Sequence, residues 1–225
     1  MILLALDTCL AACSVAVLEG ERVLAARSEP MARGHQERLA PLVREIMVEA
    51  GLGFADLQRI GVTLGPGSFT GLRVGLAFAK GLGAALSIPV VGVGVLEALA
   101  ADQSGLTFAV MDAKRGQVYL QAFEDGRPLM APDALDLGTA AARLIELAAG
   151  RPATLVGHGA PLLAEVLADA RLLAGDHADP VAVARLAAAR PPVPPRPLYL
   201  RAPDAKLPGG RDLPSPAVDP LAPGA

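Results

Sequence analysis

Apolar runs, alternations and helical repeats follow one another along the chain in separable blocks. Residues 2–8 are a nearly unbroken apolar run of strand length, and residues 13–19 alternate as a hairpin partner would. The turn "EGER" (19–22) leads into a third strand over 22–28. In "HQERLAPLVREIMVEAG", Leu39, Leu42, Val43, Ile46 and Ala50 recur at helical spacing and Gly51 supplies a stop. Pro41 belongs either to the first turn of that helix or to a kink. "RIGVTLG" (59–65) reads as a short buried strand, and a glycine-rich helix follows over about 69–87, ended by Ile88 and Pro89. "VVGVGV" (90–95) is another strand, leading to a short helix up to about Ala101.

At Leu106 the pattern restarts. The stretch from Leu3 and the stretch from Phe108 share an apolar strand ending in Asp (Asp7, Asp112), a turn, an alternating strand and an acidic-glycine hairpin turn, at a constant offset of 105 residues. An internal duplication accounts for this better than chance. A helix over 136–149, a strand over 153–157 and helical stretches near 160–169 and 179–190 complete the second copy. Two copies of three antiparallel strands followed by alternating helices and strands describe an α/β fold, a duplicated ribonuclease-H-like two-domain unit. That is the architecture of the actin, sugar-kinase and heat-shock-ATPase superfamily. The expected division is 1–104, 105–190, and a Pro-rich segment over 191–225 that holds 11 of the 20 prolines. "LYLRAPDAK" (198–206) is expected to dock back onto the body, with disorder beyond Leu207.

Composition narrows the function classes. The net charge is −3, Arg outnumbers Lys 17 to 3, and no Lys/Arg cluster or aromatic platform marks a surface that grips nucleic acid alone. The apolar start lacks a basic flank, and the later apolar run is broken by Pro89 and Glu97, so neither a signal peptide nor a membrane span is expected. A cytoplasmic protein with two reduced, structural thiols, Cys9 and Cys13, fits best. The three histidines, His35, His158 and His177, are scattered, and no metal or cofactor is expected.

"LGPGSFTGLRVGLAFAKGLG" (64–83) holds six glycines. A P-loop needs glycine five residues after Gly65, where Thr70 stands, and Ser or Thr after Lys80, where Gly81 stands. The dinucleotide fingerprint fails by one residue at Gly71. Gly67, Gly71, Gly75, Ala79 and Gly83 instead fall four apart, which lines them along one side of a helix. Each glycine inside a helix costs about 1 kcal/mol relative to alanine, so close approach by another backbone is the expected return. That neighbour is either this chain's own sheet or helix, or an outside partner. The apolar residues Phe69, Leu72, Leu76, Phe78, Met47 and Val48 favour the partner.

"GPGSFTGLRVG" (65–75), with "ILLALDT" (2–8), "ACSVAV" (12–17) and "LYLRAPDAK", resembles the TsaB (YeaZ) family over residues 1 to about 206. The resemblance implies a non-catalytic subunit in making the threonylcarbamoyl modification on adenosine 37 of tRNA. Such subunits pair with a metal-binding catalytic paralogue, work with a small ATPase and touch tRNA only indirectly. It also implies docking through the first two helices, so Leu39, Val43, Met47, Gly67, Phe69, Thr70, Gly71, Leu72, Arg73, Gly75, Leu76 and Ala79 are the expected partner-docking residues, with a homodimer as the alternative use of the same face. Asp7, Thr8, Asp112, Gly157 and Gly159 are the candidates for a vestigial nucleotide site. Cys9, Leu10 and Ala11 depart from the family's more polar turn, and His35 stands alone on its helix. Two enzymatic alternatives remain at this level. One is an ATP-dependent phosphotransferase or hydrolase using Asp7 and Asp112. The other is a metallopeptidase, for which no paired-ligand motif exists.

Overall fold

A computed structural model of the chain describes residues 1–201. The first half opens with β1 (Ile2–Asp7), β2 (Ala12–Glu19) and β3 (Arg22–Pro30) as an antiparallel meander. It continues through α1 (His35–Glu49), β4 (Arg59–Thr63), α2 (Phe69–Leu86), β5 (Val90–Val93) and α3 (Val95–Ala100). β4 and β5 add in parallel beside β1, giving the order β3-β2-β1-β4-β5.

The second half repeats the plan with β6 (Leu106–Lys114) and β7 (Gln117–Glu124), then the short β8 (Arg127–Pro128) and β9 (Asp133–Asp136), both paired with β7. α4 (Leu137–Ala148), β10 (Thr154–Val156), β11 (Arg171–Leu173) and α5 (Pro180–Ala189) follow. β10 runs parallel to β6 and β11 parallel to β10, so this sheet reads β11-β10-β6-β7-β8. The paired orders place β1 opposite β6 and Asp7 opposite Asp112, which is the duplicated ribonuclease-H-like arrangement. One element differs. Where the first half crosses from β4 to β5 by the 18-residue α2, the second crosses from β10 to β11 by a 3-10 segment, Ala160–Val166, with Pro161 at its start.

Strand alternation decides what each sheet face buries. Leu4 and Leu6 of β1 point toward α1 and α2, meeting Leu39, Leu42, Val43, Ile46, Met47, Leu76 and Ala79. Leu3 and Ala5 point the other way, onto Val183, Ala184 and Ala187 of α5. In the second sheet Phe108 and Val110 face α4, while Ala109 and Met111 meet Val95, Leu96 and Leu99 of α3. The halves thus exchange their last helices: α5 covers the first sheet and α3 the second. A division at 104/105 separates each sheet from one helix that covers it, and α5 within 105–190 belongs by packing to the first half.

Pro41 sits inside α1, one turn beyond the first. Residues 198–201 return to the body. Leu198 N donates to Leu64 O at 2.8 Å, and Arg201 Nη1 donates to Ala113 O at 2.6 Å. The rest of "LYLRAPDAK" and everything expected beyond Leu207 lie outside the described residues. Among the described residues no helix is long and apolar enough to cross a membrane.

Candidate functional site

Two regions compete for function: the cleft between the halves and the outer face of α1 and α2.

The cleft, of about 800 Å³, is lined by residues from both Asp-bearing turns. Asp7 lies behind it, fully buried. Its Oδ1 accepts from Thr63 Oγ1 at 2.6 Å and from Cys9 N at 3.0 Å, while Oδ2 is buried with no partner among the described residues. Burial pushes the Asp7 carboxyl above the usual carboxylate range, with the Thr63 and Cys9 hydrogen bonds opposing in part. Asp112 is only half-buried. It accepts from Lys114 N at 2.7 Å and Lys114 Nζ at 2.6 Å, and these bonds hold its carboxyl below the usual range.

A phosphate cradle needs free backbone amides. Here Cys9 N is spent on Asp7, Lys114 N on Asp112, and Ala11 N points at Asp176 O. Gly157 and Gly159, expected near an adenosine, are instead buried against β6. A Cβ on Gly157 would stand 2.3 Å from Val110 O, and one on Gly159 would stand 2.6 Å from Asp112 N. Both glycines are there so that a turn can press on a strand end.

His35, His158 and His177 all line this cleft, a convergence that sequence spacing could not reveal because it is made by the two sheets meeting. Burial lowers the His158 pKa. Among the described residues no three His, Cys, Asp or Glu are gathered closely enough to hold a metal ion. Cys9 and Cys13 are free and buried; burial pushes both thiols up, Cys13 to about 11, so neither is a ready nucleophile at neutral pH.

On the outer face, α2 separates its two sides sharply. The glycine side faces inward, against the chain itself. A Cβ on Gly71 would stand 1.9 Å from Thr8 O, on Gly75 2.5 Å from Thr8 Oγ1, on Gly67 2.3 Å from Cys9 O, and on Gly83 2.4 Å from Val90 Cγ2. Thr8 Oγ1 also donates to Gly71 O at 2.7 Å. The expectation that this stripe is a groove for an outside partner is therefore corrected: its neighbours are Thr8 and Cys9, just past the end of β1, and, for Gly83, Val90 of β5. Leu39, Val43, Met47, Leu76 and Ala79 are buried as well, because they seat both helices on the sheet, and Leu72 is buried against Cys9, Leu10 and α3; of these six, Leu39 alone borders the outer groove. Of the residues expected to dock, Gly67, Phe69, Thr70 and Arg73 remain exposed.

Beside them runs a groove of about 550 Å³ between the helices, lined by Gln36, Leu39, Phe69, Thr70, Arg73, Val74, Ala77 and Phe78. Gln36, Val74 and Ala77 were not singled out from the sequence. The outward facing of Val74 and Ala77 follows from the buried stripe at 72, 75, 76 and 79 of α2 once that stripe is assigned to the sheet, and Gln36 borders the groove from the first turn of α1. Phe69 is 40% exposed and Val48, on α1, 74%. Tyr199 from the returning segment packs on Phe69, ring centroids 5.5 Å apart.

The comparisons agree with one another. The family model described as TsaD, tRNA N6-adenosine threonylcarbamoyltransferase, matches residues 27–145. The Bacillus subtilis protein named tRNA threonylcarbamoyladenosine biosynthesis protein TsaB is 32% identical over 174 residues, 75% of this chain and 76% of that protein. An uncharacterised Mycobacterium leprae protein is 36% identical over 91% of this chain, which spans 56% of that protein's length. A Pseudomonas aeruginosa crystal structure, described as an uncharacterised protein with similarity to peptidase YeaZ, superposes with a TM-score of 0.76 at 29% identity, covering 89% of this chain and 99% of the other. With α1, α2 and the "GPGSFTGLRVG" turn placed as described, the chain belongs to the TsaB family of tRNA threonylcarbamoyladenosine biosynthesis proteins.

Proposed function

We propose that this chain is a non-catalytic subunit in tRNA threonylcarbamoyladenosine synthesis, and that it acts by docking its α1–α2 face on a catalytic paralogue. The carrying observation is the exposed groove between the two helices, with Phe69, Val74 and Phe78 around it, on helices whose other sides are fully used by their own sheet. The TsaD match over residues 27–145 spans both helices, which supports a partner with the same helix pair and a quasi-symmetric contact. That each cleft turn spends an amide on its own aspartate, Cys9 N on Asp7 and Lys114 N on Asp112, supports a role without nucleotide turnover by this chain. A small ATPase completes the assembly, tRNA is contacted through the partner, and the same face pairs two copies when the paralogue is absent. A stable contact of this kind buries about 800 Å² per partner.

The test is co-purification with the paralogue from the same source. Ala77→Arg with Thr70→Arg fills the groove from two exposed positions. The double variant should melt as the parent does, lose co-elution and fail to support tRNA modification by the paralogue. Undiminished co-elution and modification would refute the docking role.

A further inference from the structure

We propose that Arg73 is a pre-positioned cationic anchor at the centre of this face, and that the catalytic paralogue meets it with a carboxylate on the helix laid into the groove. The proposal rests on the docking role above and names the chemistry that the partner must bring.

The charge pattern is one-sided. α2 carries Arg73 and Lys80, both exposed, and no acidic residue. Among the described residues, Arg73 is the one charged residue lining the groove. Arg27, Arg38, Arg151 and Arg190 are each paired with a carboxylate, whereas Arg73 is set apart by its place inside an apolar groove. Among the described residues no carboxylate pairs with Arg73. Its partners are neutral. The guanidinium carbon lies 3.6 Å from the centroid of the Phe69 ring, and Nε donates to Tyr199 Oη at 3.3 Å. Tyr199 is itself held by its contact with Phe69 and by the adjoining Leu198–Leu64 backbone bond.

This arrangement fixes a long side chain without neutralising it. Part of the rotamer freedom that a free arginine would lose on binding is already given up. The Nη fork is left for a planar, two-oxygen acceptor. Any helix that covers the groove removes this charge from water, and doing so without an anion is strongly unfavourable. The occupant must therefore carry a carboxylate among its apolar contacts. Tyr199 is a positioning residue, and the returning segment is part of the docking surface through it.

The experiment measures affinity of the full chain for the paralogue by calorimetry. Arg73→Glu should weaken it by about 100-fold and Arg73→Lys by about tenfold, since Lys keeps charge and loses the fork. Tyr199→Phe should weaken it by about threefold, the scale of one lost hydrogen bond, and should have no further effect in an Arg73→Ala background. A merely structural Tyr199 would lower the melting temperature and weaken both backgrounds equally. Arg73→Gln carries the test should Arg73→Glu fail to fold. Loss of the Arg73→Glu penalty when one acidic residue on the paralogue's matching helices becomes Lys would identify the carboxylate. Parent-like affinity of both charge variants overturns the anchor and leaves the docking role standing. Loss of self-association alone, with paralogue binding intact, makes a second copy the occupant and overturns it too. Failure of the unaltered chain to bind the paralogue at all removes the docking role and the anchor together.

Discussion

At the end of β1, Asp7 is sealed from water with one oxygen unpartnered, whereas Asp112, at the matching point of β6, stands at the cleft with Lys114 on both its oxygens. The same contrast runs through the elements behind them. Thr8 is clamped beneath α2, and Met111 lies beneath a 3-10 turn. Both halves use glycine to bring the crossing after the parallel strand onto the end of the first strand: Gly67 and Gly71 in one, Gly157 and Gly159 in the other. Only the first half extends that crossing into a long helix with an outer face. The inner backbone contact is thus present in both halves, and a long crossing helix with an outer face in the first half alone.

The strongest way to break this comparison is to add a methyl group at the shared contact. Gly71→Ala places Cβ 1.9 Å from a backbone oxygen that no rotamer change can move. Overpacking of this kind costs 1–3 kcal/mol and sometimes more, and we expect about 3 kcal/mol or above in urea unfolding. Gly159→Ala, with its nearest backbone atoms at 2.6 Å, should cost somewhat less. Gly81→Ala has nothing within 4 Å and should gain up to about 1 kcal/mol from helix propensity. Equal effects at Gly71 and Gly81 would show that the glycines serve no close approach.

The period of the apolar residues made α1 and α2 legible to within a residue or two, and the 105-residue offset made the duplication legible. The four-residue β9 and three-residue β11 were not, because "DALD" and "RLL" are too short to show alternation. The glycine spacing correctly announced a close backbone approach. It could not name the neighbour, since Thr8 lies 63 residues from Gly71 and is brought there by β1 pairing with β4. The same limit hid the three histidines, whose meeting depends on how the two sheets face each other.

Asp7→Asn sharpens the comparison through pH. The folded carboxyl holds its proton above the value at which the unfolded chain releases it, near 3.9. Its contribution to stability is therefore full below that value and is lost as pH rises through the folded pKa. Removing the ionisable group should raise stability at pH 8 by about 1.4 kcal/mol for each pH unit of the upward displacement, and the gain should vanish toward pH 4. A variant less stable than the parent at pH 8 would show that the buried carboxylate is held charged by something in the cleft.

Asp112→Asn should give the smallest effect and the opposite sign. Lys114 holds the folded pKa of Asp112 below its unfolded value, so the stabilisation is present above the unfolded pKa and is lost as pH falls through the folded one. The Lys114 side chain is 79% exposed, so water and salt screen the pair and its worth is at most about 1 kcal/mol. Asparagine still accepts from Lys114 N, which keeps the turn in which Lys114, Arg115 and Gly116 all have positive φ. What remains to lose is the ion pair alone, so the cost at pH 7 should shrink as salt is raised and disappear in acid. A cost at pH 7 as large as that of Gly159→Ala would mean that Asp112 holds the second half together as buried groups hold the first, and the contrast between the two turns would fall with it.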